Sequence, residues 1–76
     1  MKNFEVGDEI YILKMTFDDL IIYHGRIEGY IQKNPKNNVF RVFLINSVGY
    51  THAREKDCFK SKQECIQAFK DRLDEL

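Results

Sequence analysis

Asp57-Cys58-Phe59-Lys60-Ser61-Lys62-Gln63-Glu64 divides the chain: strand-like sequence ends within it and a helix begins. Ser61 followed three residues later by Glu64 is a capping box. Each side chain of such a pair accepts a hydrogen bond from a backbone N–H that the first helical turn leaves unsatisfied. The helix predicted from this start covers residues 62–74. At about 100° per residue, Cys65, Ile66, Phe69, Leu73 and Leu76 fall within an arc of about 100°, and Gln63, Gln67, Lys70, Asp71 and Asp74 point elsewhere. Asp71, Asp74 and Glu75 crowd the negative end of the helix dipole, so the last turn is expected to fray.

Upstream, four stretches read as strands. Residues 9–15 follow the turn signal Val6-Gly7-Asp8, and residues 20–33 follow an acidic loop containing Asp18 and Asp19. The second stretch is interrupted by Gly25 and Gly29, the signature of a bulge or sharp bend. After the turn Asn34-Pro35-Lys36-Asn37-Asn38, residues 39–45 carry Phe40, Val42 and Leu44 on one face and Val39, Phe43 and Ile45 on the other. Apolar residues on both faces imply a strand covered on both sides, so the helix stripe is expected to lie on this third strand. Residues 50–56, reached through Asn46-Ser47-Val48-Gly49, are more polar and are expected near an edge, where pairing with a second copy would give a weak homodimer. The expected fold is mainly β with one C-terminal helix. Residues 1–60 form a small antiparallel barrel of four to five strands, and 61–76 a helix packed on it within the same domain.

With 76 residues, 43% of them hydrophobic and 13% aromatic, the chain holds one small core and no room for a large buried cleft. Twelve basic residues balance twelve acidic ones, which removes the general electrostatic pull toward nucleic acid or anionic membrane. The balance is uneven along the chain, with net −3 over residues 1–22, +5 over 23–62 and −2 over 63–76. Apolar runs no longer than four residues and a first segment without a signal-peptide core lead to the expectation of a cytoplasmic protein with no membrane association. Two cysteines, Cys58 and Cys65, are too few for a disulfide framework and fit a reducing compartment.

Val6-Gly7-Asp8-Glu9-Ile10-Tyr11-Ile12, followed by Gly25-Arg26-Ile27, resembles the opening of SH3-like barrels of the KOW and Tudor type. There a Gly-Asp turn starts the first strand and a Gly-x-apolar step starts the second. Asp57-x-Phe59-x-Ser61-Lys62 is similar to the ending of small SH3-like proteins encoded by bacterial phages and mobile elements. The resemblance implies an SH3-like barrel and, for the phage type, a protein that binds and modulates a host protein. The first loop departs from the KOW pattern, being long and acidic without that motif's interior glycine and basic residues.

No residue pattern points to catalysis, a cofactor or a metal. Cys58 and Cys65 are seven apart, and His24 and His52 are isolated, unlike the close ligand pairs of structural zinc. Cys58 precedes a helix N-terminus, a place that activates thiols, but no Cys/His/Asn constellation accompanies it. The acids Asp8, Glu9, Asp18 and Asp19 lack the spacing of a calcium loop. The chain is therefore expected to be a non-enzymatic protein-interaction module. Its partner-binding residues are expected in the loops: Phe17, Asp18 and Asp19 in the first, and Tyr30, Lys33 and Lys36 around the second. The alternative is a nucleic-acid face that interleaves Arg26, Arg41, Arg54 and Lys56 with Tyr23 and Tyr50, since cations contact phosphates and aromatics stack on bases.

Overall fold

In a computed structural model of the chain, the structure describes residues 4–15 and 19–74. Five strands, β1 (Glu9–Met15), β2 (Leu20–Gln32), β3 (Val39–Leu44), β4 (Tyr50–Arg54) and β5 (Cys58–Phe59), form one antiparallel sheet in the order β4-β3-β2-β1-β5. A 3-10 turn, Glu55–Asp57, separates β4 from β5, and the helix α1 spans Lys62–Asp74.

The Val6-Gly7-Asp8 signal becomes a glycine-based β-bulge. Gly7 has φ +97°, its N–H donates to Ile27 O (2.8 Å), and the Ile27 N–H donates to Asp8 O (2.9 Å). Only glycine takes that backbone conformation at little cost. β2 then bends along its length, with register irregularities between Ile27 and Gly29 and between Tyr30 and Gln32. At Gly25 the approach to β3 is so close that a Cβ would lie 2.4 Å from Val42 Cγ1 and 2.9 Å from Phe43 O.

Period-two alternation sorts the side chains onto two faces. Ile10, Ile12, Ile27, Phe40, Val42, Ala53 and Cys58 point inward, with Phe4 closing one side and Tyr23 packed against them. The opposite face of β1 and β2 carries Leu13 with Tyr11, Leu20 and Ile22, and here α1 lies down through Cys65, Ala68 and Phe69, beside Phe59 of β5. The doubly covered strand is therefore β1, correcting the expectation that the helix packs on β3. Only Lys60 and Ser61 separate β5 from α1, and β5 pairs with β1, so the helix is delivered to β1. The second face of β3 is left half-buried at Val39 and Phe43, and Ile45 beyond its end is 43% exposed.

β4 is one edge of the sheet, as its polarity suggested, but it ends at Arg54 and not at residue 56. The 3-10 turn redirects the chain there, with the Cys58 N–H donating to Glu55 O and the Cys58 thiol to Arg54 O (3.3 Å). The capping box forms in altered shape. The Glu64 N–H donates to Ser61 Oγ (3.1 Å), while the Glu64 carboxylate accepts from Lys60 N–H (3.3 Å), one residue earlier than the sequence pattern implies. Leu73 is 49% exposed, so the helix stripe is shorter than the periodicity suggested, and Leu76 lies outside the described residues. No helix among the described residues is long and apolar enough to cross a membrane.

Replacing Gly25 with Ala is expected to destabilise the protein by about 1–3 kcal/mol, because backbone and a packed valine occupy the Cβ position. Gly29→Ala, whose Cβ meets nothing within 4 Å, is expected to stay within about 0.5 kcal/mol of wild type. Urea unfolding midpoints of the two variants check both values.

Candidate functional site

Along the inner face of β1, Ile10 and Ile12 are followed two residues later by Lys14, a charge where alternation calls for a core residue. Its ammonium donates to Thr51 Oγ1 of β4 (2.6 Å) and lies 5.9 Å from the Tyr23 ring centre. β1 and β4 are separated by two strands in the sheet, so this bond spans the inner side of a sheet that curls back toward itself.

Between the same two strands lies an open groove of about 650 Å³. One wall is Leu13, Lys14 and Met15 of β1, the other Val39 of β3 and His52 to Arg54 of β4, and Lys56, Asp57 and Arg72 close one end. Val39 directly follows the 34–38 turn, so one wall of the groove adjoins that turn.

Among the described residues its charge is lopsided, with Lys14, Arg54, Lys56 and Arg72 set against one carboxylate, Asp57. Asp57 is shared: Arg72 Nη2 donates to its Oδ1 at 3.0 Å, and Arg54 Nε stands 3.7 Å from Oδ2. The carboxylate side chain is 18% exposed, while those of Arg54 and Arg72 are 65% and 33% exposed, so the cations keep a face toward solvent. A smaller notch beside it, lined by Lys36, Asn37, Asn38, Arg54, Glu55 and Lys56, extends toward the 34–38 turn, with three cations to one carboxylate. Asn38 Nδ2 donates to Glu55 Oε2 (2.9 Å) and fastens that turn to the 3-10 turn.

The expected partner-binding residues are dispersed. Phe17 and Asp18 lie outside the described residues. Asp19 is exposed, with Oδ1 accepting from the Leu20 N–H (2.9 Å). Tyr30 and Lys33 stay together, the ammonium 5.2 Å from the ring centre, with Tyr30 resting on Phe40. Among the described members of the set, Lys36 alone lines the notch beside the groove.

The alternative nucleic-acid set separates into three places. Arg26, Arg41 and Tyr50 gather with Phe43 on the outer face: the Arg26 guanidinium is 5.5 Å from the Phe43 ring centre, that of Arg41 4.5 Å from Tyr50, and the two rings meet edge to face at 5.3 Å. Arg54 and Lys56 belong to the groove. Tyr23 packs against the inner core, so it belongs to neither surface.

Reading the sequence missed Lys14, His52 and Arg72 as groove residues. Lys14 carried a usable signal, being a lysine in phase with Ile10 and Ile12; Arg72 had none, since its place depends on where the helix docks. Cys58 and Cys65 are buried in the two separate cores and form no disulfide, and His24 stacks on Tyr11 at 4.6 Å, with Nε2 3.3 Å from Glu9 Oε1. Among the described residues no three His, Cys, Asp or Glu side chains gather as a metal site. Compared with protein-family models, with curated proteins and with solved structures, the chain matches none of them.

Asp57→Asn removes the charge that holds Arg72, and with it the tether between the last turn of α1 and the 3-10 turn. Amide hydrogen exchange is expected to accelerate over residues 70–74 in this variant while β2 stays protected; unchanged exchange in the helix end would show that the pair carries no such load.

Proposed function

We propose that this chain is a non-enzymatic docking module built on an SH3-like barrel, which receives an acidic segment of another protein in the groove between β1 and β4. The observation that carries the reading is that groove's composition: among the described residues, four cations line it with a single carboxylate that two of them already share. An SH3-like architecture is supported by the strand order β4-β3-β2-β1-β5, by the 3-10 turn between the last two strands and by the Lys14 to Thr51 bond across the curled sheet. Two buried thiols without a disulfide fit a reducing, cytoplasmic setting.

A nucleic-acid reading draws on the outer-face cluster of Arg26, Arg41, Phe43 and Tyr50. In that cluster each ring already has a guanidinium of this chain over it, so a base would have to displace Arg41 to stack on Tyr50. With zero net charge to supply long-range attraction, the groove is the better-supported site.

Two double variants separate the surfaces in pull-downs from a bacterial lysate treated with nuclease, with circular dichroism verifying the fold. Arg54→Glu with Lys56→Glu is expected to abolish capture of a protein that wild type retains, and Arg41→Ala with Tyr50→Ala to preserve it. Loss of all captured material on nuclease treatment, or retention by the groove variant, would overturn the reading.

A further inference from the structure

The groove is bordered by a strand edge with unused main-chain hydrogen-bonding groups. The β3–β4 ladder contains hydrogen-bonded pairs at its two ends, Leu44 N–H to Gly49 O (3.0 Å) and Glu55 N–H to Asn38 O (3.0 Å). Antiparallel pairing alternates bonded and non-bonded pairs. Thr51 and Ala53 therefore aim their N–H and C=O groups at β3, and Tyr50, His52 and Arg54 aim theirs away from it. The Arg54 C=O receives the Cys58 thiol, whereas among the described residues nothing bonds the N–H or C=O of His52, midway along the edge and lining the groove. Facing it, β5 pairs with β1 only at Tyr11 and Ile12 and leaves the Leu13 to Met15 end of β1 to form the other wall.

We infer that the groove takes its acidic segment as an added β-strand, hydrogen-bonded through main chain to the edge of β4 at His52. This rests on the docking reading above and specifies the geometry of binding. An edge strand is usually protected from stray pairing by charge, and here the charge that β4 itself carries is the cation Arg54. A cationic or neutral strand would leave Lys14 and Arg54 facing like charge or desolvated, while a strand with carboxylates on both of its faces pairs with them as its backbone pairs with β4. A carboxylate pointing inward would meet Lys14, and one pointing outward would meet Arg54. β4 has five residues, about 17 Å of strand, so a segment of about five residues matches it.

The test is a selection of binders from a random ten-residue peptide library on the full chain, followed by titration of the best labelled peptide and of versions N-methylated at alternate residues. N-methylation removes main-chain donors and keeps the side-chain charges. The expected result is a selected peptide with Asp or Glu on both faces of the strand, an odd number of residues apart, whose affinity falls at least about tenfold when the residues opposite His52 are methylated, equivalent to about 1.4 kcal/mol. Acidic peptides that lose affinity to the Arg54→Glu, Lys56→Glu variant but tolerate N-methylation at every position would overturn strand addition and leave groove docking standing. Peptides that bind that variant as well as wild type would overturn both, as would a selection without binders. Sedimentation showing that β4 is covered by a second copy of the chain would also overturn the proposal.

Discussion

Where β2 crosses β3 at Gly25, there is no room for even one more carbon: Val42 and the Phe43 carbonyl fill the position a Cβ would need. That close passage sits in the middle of a strand of thirteen residues whose later half is irregular in register, and together these features let the sheet curl. The curl brings Lys14 within hydrogen-bonding distance of Thr51, although two strands intervene between β1 and β4. The groove exists because the same curl brings β1 and β4 face to face without pairing them along the Leu13 to Met15 and His52 to Arg54 stretches.

Electrostatics finishes what packing starts. Asp57 sits at the junction of β4, β5 and the helix end, and draws Arg54 from one side and Arg72 from the other. A half-buried carboxylate with two guanidiniums is stabilised more than an exposed pair, and it leaves the surroundings with surplus positive charge. Among the described residues that line the recess, cations outnumber carboxylates four to one, although the net charge of the chain is zero.

Much of the fold was legible in local chemistry. The Gly7 turn, the Ser61 and Glu64 cap, the register irregularity beside Gly29 and the polar edge strand each follow from chemistry acting within a few residues. The two-residue β5 was not, because a strand of that length has no periodicity to read and exists only through its pairing with Tyr11 and Ile12. The helix's partner was misassigned for a related reason: Val39, Phe43 and Ile45 are as apolar as a covered face requires, but the short link after β5 places α1 on β1. The groove was the least legible, since it joins Lys14, Arg54, Lys56 and Arg72 from four elements across distances in sequence that no local pattern encodes.

Binding in the β1–β4 groove is read out by amide chemical-shift mapping on the isotope-labelled chain. On titration with the partner protein, the largest shifts are expected at Lys14, His52, Arg54 and Lys56. Shifts centred on Arg26, Arg41 and Tyr50, with the groove amides unmoved, would contradict binding there.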